Sequence, residues 1–216
     1  AEGVNNYIYV RANQDTMNLK SVMEGILLDH PLMKAKTRRG SVIDIIPTGN
    51  FMLDVGYEKV LENGTVKPEN AALIEDPVVW AIEENSISRA NLMQMDFLAH
   101  NEWGRPVYFT TKEKSGTLGL ESYFELNGFT YRLVPVRATD SDNFLRTGSI
   151  DSDELYQNLM HKYQWGNMDK PDINVMNSDI RMLNLASLRN IFIRLAGELI
   201  KEGKTERAGV KNSACG

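Results

Sequence analysis

Residues 92–111 constrain the fold of this chain more than any other stretch of its sequence. Their first part, LMQMDFLAH, is amphipathic, and it leads through NEWGRP into the apolar run VYF. Apolar residues at three- and four-residue spacing predict a helix, while Gly104 and Pro106 predict a tight turn. The aromatic and β-branched run after the turn predicts a buried strand. We therefore expect helices packed against strands.

The same patterns predict the remaining elements. Predicted strands cover residues 7–11, 42–46, 51–55, 78–82, 106–110 and 131–136, and predicted helices cover residues 17–29, 89–101, 118–126, 151–165 and 179–202. Asp15 or Thr16 is expected to cap the first helix, and Ser88 the helix at 89–101. Asp151 is expected to cap the helix at 151–165, with Glu154 as its capping-box partner. The sequence PTGN between 42–46 and 51–55 predicts a hairpin or a strand pair.

These elements predict an α+β or α/β fold with a central mixed β-sheet and packed helices, followed by a C-terminal helical segment. A shift towards Thr, Asp, Ser and Asn after Arg137 predicts an α/β domain at 1–137, a linker at 138–150, a helical segment at 151–208 and a disordered tail at 209–216. The end of the last helix, FIRLAGELIKEGK, resembles the first helix of a tetratricopeptide (TPR)-like repeat, in which Ala196 or Gly197 would let a second helix pack closely.

Composition excludes several classes of partner. The 216 residues are 42% hydrophobic and 25% charged, as in ordinary globular proteins, and the formal net charge is -5. That balance provides no basic surface for nucleic acid or anionic lipid. No apolar run approaches the roughly 18 residues that a membrane helix needs, so we expect no direct membrane insertion of this chain.

No catalytic residue, metal site or cofactor is predicted from the sequence. The single cysteine, Cys215, cannot form an internal disulfide, and His30, His100 and His161 lack ligand spacing. Neighbouring carboxylates such as Glu83 and Glu84 do not supply two groups facing each other across a cleft, as glycoside hydrolysis requires. We expect no catalysis by this chain alone, which leaves open whether it belongs to a larger enzyme.

Aromatic and polar side chains near the predicted sheet form a candidate ligand surface. An aromatic ring can stack on the apolar face of a hexose, and Arg or Asn side chains can donate to its hydroxyls. Core packing with buried ion pairs would require the same residue types, so both interpretations stay open. The candidate residues are Trp80, Asn101, Trp103, Arg105, Tyr108, Tyr123 and Arg132.

Six segments, IPTGNFMLDV, VLENGTVKPENA, LAHNEWGRPVYF, ESYFELNGFTYRLVPV, LYQNLMHKYQWGNM and FIRLAGELIKEGK, carry a family resemblance. Together they resemble the soluble C-terminal region of the DUF2723 family of Bacteroidetes membrane proteins. The N-terminal half of that family is multi-spanning and is similar to protein O-mannosyltransferases, which are GT-C type glycosyltransferases. The resemblance implies a location on the periplasmic face of the inner membrane. It also implies that the acidic catalytic residue lies outside this sequence.

Two functions follow as expectations. In the first, the chain is a non-catalytic periplasmic domain of a glycosyltransferase-like protein that recognises a glycan or polypeptide acceptor, with the parent's N-terminal membrane domain as partner. In the second, it is a protein-interaction scaffold that leads into TPR-like repeats and has no sugar role. An exposed aromatic cleft would favour the first, whereas buried aromatics and an apolar groove along residues 191–200 would favour the second.

Overall fold

A computed structural model describes residues 6–110, 114–138, 147–164, 170–172 and 185–212 of the chain. The strands are β1 Tyr7–Val10, β2 Thr16–Asn18, β3 Lys34–Lys36, β4 Val42–Ile46, β5 Asn50–Leu53, β6 Val78–Ala81, β7 Ser86–Ser88, β8 Tyr108–Phe109, β9 Phe124–Asn127 and β10 Thr130–Leu133. The α-helices are α1 Leu19–Leu27, α2 Tyr57–Glu62, α3 Arg89–Asn101, α4 Lys114–Thr117, α5 Ser152–Gln157, α6 Leu185–Lys201 and α7 Thr205–Asn212. Turns of 3-10 helix cover Pro31–Met33, Pro68–Leu73 and Glu121–Tyr123, and a π-helical turn covers Asn158–Lys162.

The strands divide over three small sheets. The first has the order β3-β4-β1-β7, the second β2-β5-β6 and the third β8-β10-β9. In the first sheet β1 pairs parallel with β4 and antiparallel with β7, and in the second β5 pairs parallel with β2 and antiparallel with β6. The α+β class is therefore confirmed, with mixed pairing in two of the sheets.

The predicted hairpin between β4 and β5 is wrong, because the two strands enter different sheets. At the bend, the buried Thr48 hydroxyl donates to the carbonyl oxygen of Asp15 at 2.6 Å and accepts from the Asn50 N–H at 3.0 Å. The Ile82 N–H donates to the Gly49 carbonyl at 2.8 Å. These contacts hold the connection against the neighbouring segments, so the chain continues forward and does not fold back on itself.

The predicted helix over 118–126 is also wrong, because only a 3-10 turn forms at Glu121–Tyr123 and the chain then enters the β9–β10 hairpin. Phe124 and Leu126 are buried on alternate positions, as a strand with one buried face requires. Gly128 follows Asn127 with φ of 69°, which suits a two-residue hairpin turn. The period-2 pattern and the glycine at the first of the two turn positions, 128 and 129, outweigh the helical interpretation.

The predicted caps are correct at two of three helices. The Ser88 hydroxyl accepts from the Asn91 N–H at 3.1 Å, and the Asn91 side chain accepts from the Ser88 N–H at 3.2 Å, which closes a capping box at α3. Asp151 accepts from the Glu154 N–H at 3.0 Å and caps α5, but the Glu154 side chain accepts from the Asn127 amide, so the predicted capping box does not form. The cap of α1 is Asn18, not Asp15 or Thr16, because Thr16–Asn18 forms β2.

Two clusters of buried side chains organise the chain. The larger joins the three sheets to α1 and α3, and it includes Phe51, Trp80, Met95, Tyr123 and Phe124. The smaller packs α5, α6 and α7 against the hairpin through Leu126, Leu155, Leu159, Leu195, Leu199 and Ala208. The C-terminal helices therefore rest on β9.

Several predictions about the C-terminal part remain predictions. Residues 139–146 of the predicted linker, 165–169, 179–184 of the predicted last helix, and 213–216 lie outside the described residues. After Gly203, α7 (Thr205–Asn212) runs into the stretch predicted as a tail and packs on α6. The division into two domains and the TPR-like character of this end are not decided by that packing.

Candidate functional site

Three of the predicted ligand-binding aromatics lie in the core. Trp80 is buried and packs against Phe51, with the ring centroids 5.6 Å apart. Trp103 is buried and donates from Nε1 to the carbonyl oxygen of Asp54 at 3.0 Å, and Tyr123 is fully buried. Their ring faces are covered by protein in this structure, which corresponds to the core-packing interpretation for these three residues.

The other predicted site residues occupy two places. Asn101 and Arg105 lie together, because the Asn101 amide donates to the Arg105 carbonyl oxygen at 2.8 Å. With Trp103 they line a cavity of only about 10 Å³, the size of a single water molecule. Tyr108 and Arg132 lie elsewhere, on adjacent strands of the third sheet, where they are direct cross-strand partners.

A third residue, Glu125, extends this pair into a row across the sheet. Arg132 on β10 is the register partner of both Tyr108 on β8 and Glu125 on β9, so the three side chains share one face. The Tyr108 side chain at one end of the row is 46% exposed. We call Tyr108, Arg132 and Glu125 the cross-strand row.

Beside this row lies a polar cleft with a volume of about 560 Å³. Its walls come from the loop 64–73, the β9–β10 hairpin, the start of α5 and the turn before α7. The charged residues that line it are Lys67, Glu69, Glu125, Arg132, Arg137, Asp151, Asp153, Glu154, Glu202 and Lys204. This volume falls in the range of small-molecule sites, about 300–1,000 Å³.

An incompletely bonded ion pair lines the cleft. Glu125 and Arg132 have side chains that are 17% and 12% exposed, and Oε1 of Glu125 lies 3.9 Å from Nη1 of Arg132. The same Nη1 is 3.8 Å from Oε2 of Glu154, while Nη2 donates to the Gly64 carbonyl at 2.8 Å. The buried Nε of Arg132 has no hydrogen-bond partner among the described residues.

Burial of Glu125 changes its acidity. Desolvation raises the pKa of the Glu125 carboxyl to about 7, and the nearby Arg132 charge opposes that rise without cancelling it. Glu154 instead accepts from the Asn127 amide at 2.7 Å. Two carboxyls beside one guanidinium thus have different surroundings.

The rim of the cleft is formed by paired charges. Lys67 Nζ lies 2.5 Å from Oδ2 of Asp151. Burial of Lys67 lowers its pKa, but the hydrogen bond to Asp151 helps to raise the pKa overall. Lys204 is 2.8 Å from a carboxylate oxygen of Asp153 and 2.8 Å from one of Glu202. Lys67 and Lys204 therefore already have carboxylate partners, whereas the Glu125 carboxyl has no close cation.

A second surface is apolar. Met93 and Phe97 on α3 are 75% and 53% exposed, and with Tyr108 they line a groove of about 350 Å³ between α3 and β8. We call it the apolar groove. Ile193 and Ile200 on α6 are also exposed.

Sequence reasoning missed Glu125 because the predicted helix 118–126 gave it no sheet neighbours. The alternating pattern FELN-G-FTYRL contained the signal, since a hairpin in that register places Glu125 opposite Arg132. Among the described residues, no cluster of His, Cys, Asp and Glu side chains could hold a metal ion. No helix in the described part is long and apolar enough to span a membrane.

Comparison with known proteins gives one match. The family model for the TMEM260-associated domain 2 matches residues 1–154, which include the three sheets and Glu125, Arg132 and Glu154 of the cleft. No curated protein and no solved structure matches the chain. Because the match covers most of its 216 residues, the chain belongs to the TMEM260-associated domain 2 family.

Proposed function

We propose that this chain is a non-catalytic binding domain of a membrane glycosyltransferase-like protein, and that its polar cleft recognises a glycan or polypeptide acceptor. The family takes its name from an association with TMEM260. The resemblance to the DUF2723 proteins supports the remaining parts: a protein O-mannosyltransferase-like parent, a periplasmic location, and the N-terminal membrane domain of that parent as a partner.

The observation that carries the proposal is the pair of Glu125 and Arg132 in the lining of the polar cleft. Both side chains are mostly buried, yet the carboxyl and Nη1 are 3.9 Å apart, beyond hydrogen-bonding distance. Buried polar groups normally have hydrogen-bond partners, so incomplete bonding in a cleft is a mark of a binding site.

The arrangement supports binding more than catalysis. A glycosidase needs two carboxyls facing each other with space for water or substrate between them. Here, Nη1 of Arg132 lies within 4 Å of both Glu125 and Glu154, so the guanidinium occupies the position between them. The chemistry of the parent protein would then belong to its membrane domain.

Ligand-observed NMR tests this proposal directly. Mannose, mannobiose and unfolded acceptor-type peptides would be screened for saturation transfer from the folded protein. Transfer that is lost in Glu125→Leu and kept in Glu24→Leu, a matched change at an exposed position on α1, would support recognition in the cleft. Absence of transfer from every sugar and peptide would contradict it.

A second candidate function is a protein-interaction scaffold, and the apolar groove favours it. Trp80, Trp103 and Tyr123 are buried while Met93 and Phe97 are exposed, which is the pattern expected for docking through apolar contacts. Amide chemical shifts distinguish the two functions. Peptides that perturb Phe97 and Tyr108, and leave the cleft unchanged, would favour the scaffold.

A further inference from the structure

We infer that the polar cleft takes an uncharged, polyhydroxylated ligand, such as a hexose unit of a glycan, and that Glu125 and Arg132 bind its hydroxyls directly. The inference rests on the proposed function, because it names the ligand class of the same cleft. It assigns a role to a carboxyl and a guanidinium that the fold leaves incompletely bonded.

The first argument is hydrogen-bonding capacity. The Glu125 carboxyl and Nη1 of Arg132 make no hydrogen bond to each other at 3.9 Å, and neither is among the buried, unpartnered atoms of the described residues. Both residues line the cleft. A hydroxyl group both donates and accepts, so neighbouring hydroxyls of one ligand can donate to Glu125 and accept from Arg132.

The second argument is charge. Nη1 of Arg132 lies 3.9 Å from the Glu125 carboxyl and 3.8 Å from the Glu154 carboxyl. An anionic ligand at this position would be close to the two carboxyls, and a cationic ligand would be close to the guanidinium. The rim charges of Lys67 and Asp151 already form an ion pair, which a charged ligand would have to compete with. A neutral ligand that offers donors and acceptors avoids both costs.

The third argument is the shape and lining of the cleft. Its volume of about 560 Å³ suits a small glycan better than a folded partner. Apolar side chains, including Val136 and Ile150, line it beside the polar groups and offer contact to the C–H face of a sugar ring.

The test is a titration of the ¹⁵N-labelled full chain with methyl mannoside, mannobiose and maltose, followed by amide chemical shifts. Acetylated lysine methylamide, a cationic probe, and acetylated aspartate methylamide, an anionic probe, are titrated in parallel. We expect sugars to perturb the amides of Thr65, Glu125 and Ile150, and the charged probes to leave them unchanged.

Substitutions at Glu125 separate hydroxyl binding from charge binding. Glu125→Gln keeps an acceptor and removes the charge, so sugar affinity should stay within about threefold, whereas Glu125→Leu should lose at least tenfold. Arg132→Lys keeps the charge and removes the planar fork, and it should weaken binding about fivefold. Glu24→Gln on the exposed face of α1 is the matched control and should change nothing.

The outcomes separate this inference from the proposed function. If peptides perturb the cleft amides and no sugar does, the inference is overturned and the recognition role stands. If only the lysine or aspartate probe binds there, or if Glu125→Leu leaves sugar affinity intact, the inference is also overturned. If neither sugar nor peptide perturbs the cleft, both the inference and the proposed function fail.

Discussion

Glu125 and Arg132 are direct cross-strand partners on β9 and β10, yet their nearest charged atoms remain 3.9 Å apart. Nη2 of Arg132 donates to the Gly64 carbonyl, and Nη1 lies 3.8 Å from a carboxylate oxygen of Glu154. The Glu125 carboxyl is consequently buried without a close donor. This is why desolvation raises its pKa from an ordinary 4.5 to about 7.

The raised pKa of Glu125 predicts a pH-dependent free energy of unfolding. Between pH 4.5 and about 7, the folded state holds a proton on Glu125 that the unfolded state has released. This contribution to stability is therefore fully present below pH 4.5 and is lost as the pH rises through about 7. Gln does not titrate, so Glu125→Gln lacks this pH dependence. The free energy of unfolding of the variant, relative to that of wild type, should therefore rise by about 1–3 kcal/mol between pH 4.5 and pH 8.

Urea unfolding at a series of pH values measures this difference. Other carboxyls whose pKa is lowered, such as Glu75 and Asp153, make stability fall towards acid, and they do so in wild type and variant alike. The comparison of the two proteins isolates Glu125, and Glu24→Gln serves as control. Parallel pH profiles for wild type and Glu125→Gln would show that the carboxyl is not desolvated.

Ser88→Ala should destabilise the protein by about 1 kcal/mol. The substitution removes the hydroxyl that accepts from the Asn91 N–H at 3.1 Å and opens the capping box of α3. Thermal unfolding followed by circular dichroism measures the loss. Ser41→Ala, at an exposed position before β4, is the control and should stay within about 0.5 kcal/mol of wild type. Equal stabilities for the two variants would contradict the capping argument.

Local sequence signals predicted those parts of the fold that depend on local interactions. The bounds of α3 and its Ser88 cap follow from hydrophobic spacing and capping chemistry, and both match the structure. The connection between β4 and β5 was mispredicted, because the bond of Thr48 to Asp15 joins residues far apart in sequence. No local pattern of PTGN encodes that contact.

The candidate site was partly predictable for the same reason. Arg132 and Tyr108 were selected as polar and aromatic residues near a strand, and the structure makes them cross-strand neighbours. Burial of Trp80, Trp103 and Tyr123 depends on how three sheets pack together, which residue type alone does not specify. Glu125 required the correct hairpin register, since a shift of one residue moves its side chain to the opposite face.

Tyr123→Phe should cost about 1–3 kcal/mol of stability, although it retains the ring. The Tyr123 hydroxyl donates to the Glu75 carboxylate and accepts from Arg137, and it also accepts from the Val79 N–H at 3.3 Å. Removing it leaves that N–H on β6 without its partner. Burial is the first cause that raises the pKa of Tyr123 to about 12, which agrees with an enclosed hydroxyl.

Urea unfolding of Tyr123→Phe measures this cost, with Tyr57→Phe as the matched control. Tyr57 begins α2 and is 47% exposed, so loss of its hydroxyl should change the free energy of unfolding by less than about 0.5 kcal/mol. If Tyr123→Phe is as stable as Tyr57→Phe, the hydroxyl does not support β6.

Gly119→Ala should be far more damaging than Gly40→Ala, although both glycines have a positive φ, of 80° and 86°. A left-handed conformation costs a non-glycine residue about 1–2 kcal/mol, and this term is common to both positions. At Gly40 an added Cβ would meet nothing within 4 Å, whereas at Gly119 it would overlap the carbonyl oxygen of Ala81 on β6. We therefore expect the free energy of unfolding to fall by about 1 kcal/mol in Gly40→Ala and by more than about 3 kcal/mol in Gly119→Ala. Urea unfolding measures both losses, provided that the variants and wild type have the same m value. Equal losses would mean that backbone conformation alone requires glycine at 119, and that its packing against β6 does not.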